Sequence, residues 1–320
     1  MSTLEREYAV ALSDPPNALV SNAVESLKIH AVCQGKVPIV CRFRKSEGAG
    51  NAPSMMEPYS RRGLVVPKRP PSALPPPGDL TLRLEIGPYI GHGRTSSVYD
   101  VAIDASNSSP ELATFAVPPL VLKLSRSEHN QSVENEAYLY DEMESLQGIV
   151  IPRYYGFYKG EIPLGYSLVG EDIAYCQRDQ TDYDDDSDHS VQQGNQSSET
   201  ARYMSILLIE KLGGKLPVGR PLPTDIDIEL AEMYSHLSHL GVDHVDIRHA
   251  NILEAPLSPP GWPSLVSPQT NYAYRYRLID FDNATKTNRP PYAFQEYYGQ
   301  YINRLMQGLP LGYVFEPWEM

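Results

Sequence analysis

Two short polar stretches set between apolar residues decide how this 320-residue sequence is interpreted. The first is His-Val-Asp-Ile-Arg-His-Ala-Asn-Ile-Leu at residues 244–253, and the second is Arg-Leu-Ile-Asp-Phe-Asp at residues 277–282. Polar groups held between apolar anchors are typical of functional loops on a rigid scaffold. The oxygen-bearing side chains Asp246, Asn251 and Asp280 are therefore candidates for acid–base chemistry and for binding a hard cation such as Mg²⁺.

The residues around these loops predict strands first and helices later. Apolar residues alternating with polar ones, or in short β-rich runs, predict five strands near residues 80–86, 98–103, 120–124, 154–158 and 205–210. Apolar residues at helical spacing predict three helices near residues 132–143, 225–240 and 294–306.

The chain before residue 80 and one internal segment have the composition of unpacked regions. Residues 1–79 predict a proline-rich extension that is partly disordered, with an extended linker near residues 66–78. Residues 171–200 contain nine acidic residues and one basic residue, and they predict a disordered, solvated insertion. Docking of a basic partner on this insertion is the alternative.

Composition excludes several classes of protein. The chain has 27 Lys and Arg against 40 Asp and Glu, and it carries no basic stripe, which argues against nucleic-acid binding. No run of 18 apolar residues and no signal-peptide pattern occur, so we expect a cytoplasmic or nuclear protein that is neither secreted nor membrane-bound. Three widely spaced cysteines predict neither a disulfide framework nor a zinc cluster.

The order of the motifs resembles the protein kinase superfamily from about residue 85 to residue 284. Residues 244–251 resemble its H-R-D-x-x-x-x-N loop, and residues 279–281 resemble its D-F-G segment. Upstream, residues 90–98 (Ile-Gly-His-Gly-Arg-Thr-Ser-Ser-Val) resemble the glycine-rich loop that covers nucleotide phosphates.

The resemblance implies a role for each matching residue. The catalytic set would be Asp246 as the base, Arg248 as a contact for the transferred phosphoryl group, Lys123 on the phosphates and Glu136 orienting that lysine. ATP would be bound by Gly91, Gly93, Val98, Lys123, Glu210 and Leu212, the last two at the segment beside adenine. Mg²⁺ would be bound by Asn251 and Asp280.

The fold implied is an α+β, two-lobed protein-kinase-like architecture. Its first lobe, residues 80–211, would hold a five-stranded antiparallel sheet with one helix and the acidic insertion. Its second lobe, residues 212–320, would be reduced and mainly helical, because only 40 residues follow Asp280 and no A-P-E triplet occurs among them.

The function implied is that of an ATP- and Mg²⁺-dependent phosphotransferase of atypical protein-kinase type, acting on a protein hydroxyl. Departures from the family pattern leave two alternatives open. Ser96 replaces a loop glycine, Val245 replaces the arginine before the catalytic aspartate, and Asp282 replaces the glycine of D-F-G. The alternatives are a small-molecule kinase of the choline and aminoglycoside type, and a pseudokinase that acts as a nucleotide-binding or scaffolding module.

Overall fold

A mixed sheet of seven strands, closed on itself into a barrel, organises the chain. The computed structural model describes residues 10–11, 13–33, 36–48, 65–126, 129–170 and 201–316. The predicted acidic insertion, which includes Cys176, lies outside the described residues. The strands are β1 (Val10–Ala11), β2 (Val24–Val32), β3 (Ile39–Ser46), β4 (Leu80–His92), β5 (Ser96–Ile103), β6 (Leu120–Ser125), β7 (Tyr154–Ile162), β8 (Ser167–Leu168), β9 (Arg202–Glu210), β10 (Val242–Asp243), β11 (Ile252–Glu254), β12 (Ser264–Leu265), β13 (Tyr276–Leu278) and β14 (Thr285–Lys286).

The seven strands follow the spatial order β3-β7-β9-β6-β5-β4-β2, and β2 pairs back with β3. The β2–β4 pair is parallel, whereas the other pairs of the closed sheet are antiparallel. The short strand β8 also pairs with β2. Six more short strands form three separate two-stranded pairs, β1–β12, β10–β14 and β11–β13, of which the last two flank the polar loops.

Apolar alternation explains why these segments form a closed sheet. Leu80, Leu82 and Leu84 of β4 are buried, as are Cys41 and Phe43 of β3, each two residues apart. Side chains two apart on a strand point to the same face. These inward faces join one apolar core with the rings of Tyr99 and Tyr158. The sheet therefore closes because its two ends bury apolar faces in a common interior.

Three α-helices occur in the described residues, and they build a second core outside the closed sheet. They are α1 (Asn130–Glu142), α2 (Ile226–His239) and α3 (Pro291–Gly308). α1 packs on β7 and β9, and α2 packs on α3. Gly241, at φ 67°, follows α2 in the left-handed conformation that commonly ends a helix. The core includes Tyr140, Leu237, Phe281 and Phe294.

The expected two-lobed protein-kinase-like architecture is wrong. The five predicted strands lie where the periodicity placed them, but β2 and β3 complete a closed seven-stranded sheet that is mixed rather than antiparallel. Both added strands come from the proline-rich region before residue 80. An open five-stranded sheet would leave the inward face of β4 exposed, and β2 and β3 bury that face instead.

Candidate functional site

The two polar loops found in the sequence lie side by side. β11 and β13, which flank them, pair antiparallel, and Ile279 N continues the ladder by donating to Asn251 O at 3.1 Å. His244 Nε2 donates to Ile279 O at 2.9 Å. The loops are thus joined at Ile279, one residue before Asp280, by a backbone bond to Asn251 and a side-chain bond from His244.

A buried ring fixes the second loop against α1. Phe281 makes edge-to-face contacts with His244, at 4.7 Å between ring centroids, and with Tyr140 of α1, at 5.5 Å. Phe281 N donates to Glu136 Oε1 at 3.4 Å. His244 and Tyr140 therefore hold the Phe281 ring between them, and Phe281 links the second loop to the helix that carries Glu136.

Lys123 lies at the centre of the candidate site. Its ammonium is 2.6 Å from Glu136 Oε2 and 2.6 Å from Asp280 Oδ1. The three side chains come from β6, α1 and the second polar loop. Asp280 has a left-handed backbone, with φ 67°, which is uncommon for a residue other than glycine and is often found at functional sites.

Burial and mutual charge set the protonation of this cluster. Burial lowers the pKa of Lys123, but Asp280 and Glu136 outweigh it and hold the pKa above its usual value. Burial raises the pKa of Asp280, and Lys123 outweighs it, so the pKa lies below its usual value. Burial raises the pKa of Glu136 to about 7 against the attraction of Lys123, helped by the charges of Asp280 and Asp282. Asp280 is therefore the ionised partner at neutral pH.

Asp246 is buried and held by two neighbours. Arg248 Nε donates to Asp246 Oδ1 at 2.7 Å, and Arg248 Nη2 donates to Oδ2 at 2.5 Å. Asn251 Nδ2 donates to the Asp246 carbonyl at 3.0 Å and to Oδ2 at 3.2 Å. A carboxylate has about four acceptor positions, so one remains for the proton of a hydroxyl.

The glycine-rich loop borders the same cluster. Gly91 of β4 pairs with Val98 of β5, and Val98 pairs with Lys123 of β6. Directly paired residues share a face of the sheet, so the half-buried Val98 side chain lies beside that of Lys123. A Cβ built on Gly93 would be 3.9 Å from Asp280 Oδ2, and one on Gly91 would meet no described atom within 4 Å.

Two predicted nucleotide-binding residues lie at the end of β9. The Glu210 carboxylate is buried and accepts hydrogen bonds from Arg153 Nη1 at 2.7 Å and Arg153 N at 3.0 Å. The Glu210 side chain is therefore already paired with Arg153. A nucleotide bound beside the end of β9 would contact the backbone of this segment instead. Leu212 is half-buried two residues further on.

The oxygen ligands predicted for Mg²⁺ fit that ion chemically. Asn251 directs its amide nitrogen to Asp246, which leaves Oδ1 for a cation, while Lys123 uses only one oxygen of Asp280. One carboxylate and one amide oxygen suit Mg²⁺ when phosphates and waters complete its shell. In the described part of the chain no group of three or more His, Cys, Asp or Glu could hold a metal ion.

Four side chains that the sequence did not single out as site residues join the glycine-rich loop to the second polar loop. Thr95 Oγ1 donates to Asp282 Oδ2 at 2.9 Å, and Arg94 Nη2 donates to Asn283 Oδ1 at 2.8 Å. Burial and the neighbouring Asp280 charge raise the pKa of Asp282. The only signal in the sequence was Asp282, which stands where the resemblance expects glycine.

Comparison with known proteins adds no assignment. No protein-family model matches the chain, and no curated protein matches it. Within the described ranges, no helix is both long and apolar enough to cross a bilayer.

Proposed function

We propose that the chain is an ATP- and Mg²⁺-dependent phosphotransferase whose acceptor is a protein hydroxyl. The observation that supports this proposal best is the contact of Lys123 with both Glu136 and Asp280 at 2.6 Å. A lysine held by a helix glutamate, next to an ionised aspartate, suits the binding of phosphate groups. The proposal depends on these side chains and not on the fold class.

Each residue would have a separate task. Lys123 would bind nucleotide phosphates, and Glu136 would orient it. Asn251 and Asp280 would hold Mg²⁺, which when bound neutralises charge on the phosphates. The backbone at Gly91 and Gly93 would approach the phosphates without a Cβ in the way.

Asp246 would act on the acceptor. Its carboxylate would accept the proton of the attacking hydroxyl, within hydrogen-bond reach of about 2.6–3.2 Å. Arg248, whose guanidinium already contacts both oxygens of Asp246, would also bind the transferred phosphoryl group.

Turnover with full-length protein tests this proposal. We expect phosphate transfer from γ-labelled Mg-ATP to protein substrates, and a loss of about 10²–10⁴-fold in Asp246→Asn with nucleotide binding retained. The matched control is Asp227→Asn, on α2 and remote in sequence from both loops. Absence of nucleotide binding in the wild-type protein would reject the proposal.

One observation favours a second candidate, a catalytically lapsed nucleotide-binding module. Both oxygens of Asp246 are engaged by Arg248, so the proposed base is paired before any acceptor arrives. Binding of ATP without turnover, unchanged in Asp246→Asn, would support this candidate. Transfer to amino alcohols or sugars in place of proteins would identify a small-molecule kinase instead.

A further inference from the structure

The glycine-rich loop is tied to the second polar loop by two hydrogen bonds between distant residues. Thr95 Oγ1 donates to Asp282 Oδ2 at 2.9 Å across 187 positions of sequence, and Arg94 Nη2 donates to Asn283 Oδ1 at 2.8 Å across 189 positions. We call Arg94, Thr95, Asp282 and Asn283 the loop latch. With both bonds formed, the tip of the glycine-rich loop lies on residues 282 and 283.

The latched loop lies next to Asp280. A Cβ built on Gly93 would be 3.9 Å from Asp280 Oδ2, so the gap between the Gly93 backbone and this carboxylate has room for about one methyl group. A phosphate group placed between them would need more space than this gap provides.

Several further contacts hold the residues of the loop latch in position. Thr95 is 1% exposed, and its backbone oxygen accepts from Arg126 N at 2.9 Å. On the other side, Asn135 of α1 donates to the carbonyls of Asp282 and Ala284, at 3.4 and 3.2 Å. Both ends of the Thr95–Asp282 bond are therefore positioned by neighbouring elements, and a glycine at position 282 would offer no side-chain acceptor.

We propose that the loop latch closes the phosphate-binding face of Asp280, so that the Thr95–Asp282 hydrogen bond controls how fast a nucleotide enters the site. The inference rests on the proposed function, because it concerns entry of a nucleoside triphosphate. A ligand that binds only the open form has its apparent affinity reduced by the open fraction. Loss of a latch bond raises that fraction, and Asp282 is accordingly a positioning residue.

The kinetics of nucleotide association test this inference. A fluorescent ATP analogue with Mg²⁺ is mixed with full-length protein by stopped flow. Thr95→Val should raise the association rate, and lower the apparent Kd, by about tenfold, the effect of losing one hydrogen bond to a charged acceptor. Thr95→Ser keeps the hydroxyl and should restore the wild-type rate. Thr81→Val is the matched control, since the Thr81 hydroxyl bonds to Ser26 at 2.9 Å instead.

Asn283→Ala provides a second variant at an exposed position, in case Thr95→Val does not fold. It should raise the association rate in the same direction. Unchanged rates in both variants, with normal binding by the wild type, would overturn the latch and leave the proposed function intact. Absence of nucleotide binding in every variant would reject the proposed function and the gating role together.

Hydrogen exchange without nucleotide gives an independent readout. Backbone amides of residues 91–97 should exchange about tenfold faster in Thr95→Val than in the wild type or in Thr81→Val. Equal exchange in all three proteins would overturn the latch even if the protein binds nucleotide.

Discussion

At the scale of single residues, the Lys123 cluster contains more buried negative charge than positive charge. One ammonium contacts two carboxylates, and the side chain of Glu136 is almost completely buried. Lys123 and its environment hold the pKa of Asp280 low, whereas burial raises the pKa of Glu136 to about 7. Glu136 is therefore the group of this cluster that gains or loses a proton near neutral pH.

This raised pKa predicts a pH-dependent effect of Glu136→Gln. A carboxyl whose pKa is higher in the folded chain binds its proton more tightly when folded. Its contribution to the free energy of unfolding is therefore greatest at low pH and falls as the pH rises from about 4.5 towards 7. Glutamine does not ionise, so the variant should gain stability relative to the wild type by up to about 3 kcal/mol between pH 5 and pH 8.

The measurement is chemical denaturation of both proteins at several pH values. Taking the difference between them cancels other groups that titrate in the same range, such as Asp141, whose pKa burial raises to about 6. Glu134→Gln, on the same helix and paired with Lys159, is the control. A difference between wild type and Glu136→Gln that does not change with pH would contradict the prediction.

We expect Lys123→Met to lower the free energy of unfolding strongly, for a related reason. The change removes the ammonium that contacts the buried Glu136 carboxylate and the half-buried Asp280 carboxylate, and breaking a buried pair in this way costs about 3–5 kcal/mol. Lys159→Met, which removes a more exposed pair with Glu134, should cost less than about 1 kcal/mol. Equal losses in urea denaturation would show that the Lys123 pairs add little.

At the scale of elements, the sequence predicted the local structure but not how it assembles. Apolar alternation and short β-rich runs predicted β4, β5, β6, β7 and β9, whereas β2 and β3 lie in the region that was predicted to be a proline-rich extension. β2 and β4 pair in parallel although some 50 residues separate them, and such a pairing leaves no turn signal in the sequence.

In the candidate site, too, some residues were predicted from the sequence, whereas the long-range contacts between them were not. The resemblance implied that Lys123, Glu136 and Asp280 lie in one site, and in the structure they are in contact. The bond between Thr95 and Asp282 joins residues 187 positions apart and follows no periodicity. The Glu210 carboxylate, expected near the adenine, is paired with Arg153, whose position depends on the closed sheet and on contacts that no local pattern encodes.

Closure of the sheet predicts that β3 stabilises the whole chain. Phe43 is completely buried in the core inside the sheet. Phe43→Ala should lower the free energy of unfolding by about 3–5 kcal/mol, in a single transition that includes β4 to β9. Val37→Ala, at a 79% exposed position, is the control. A transition unchanged from the wild type would show that the region before residue 80 does not support the rest.

At the scale of the whole molecule, Arg153 connects distant parts of the chain. Its guanidinium contacts Asp14 near the N-terminal end, Glu210 at the end of β9 and the carbonyl of Pro263, and it stacks on Trp262. The Arg153–Glu210 pair is 5% and 0% exposed. The neighbouring pair Lys211–Asp100 is 38% and 32% exposed.

This contrast predicts that two adjacent substitutions differ in cost. Glu210→Ala leaves the buried Arg153 with less compensation and should cost about 3–5 kcal/mol. Lys211→Ala breaks a solvated pair and should cost less than about 1 kcal/mol, with a further decrease at high salt. Both are measured by urea denaturation at low and high ionic strength, and a larger loss in Lys211→Ala would contradict the prediction.

The pairing of β2 with β3, which closes the sheet, also affects how this chain associates with other chains. In an open sheet, the outermost strands present rows of unsatisfied amide and carbonyl groups, and a foreign strand can add there. Here each of the seven strands pairs with a neighbour on both sides, although β4 pairs with β2 only up to Leu84 and with β5 only from Leu84 onward. Where a strand has both ladders, strand addition by a second copy would have to break one of them first, so closure protects those parts of the described sheet against intermolecular β-pairing.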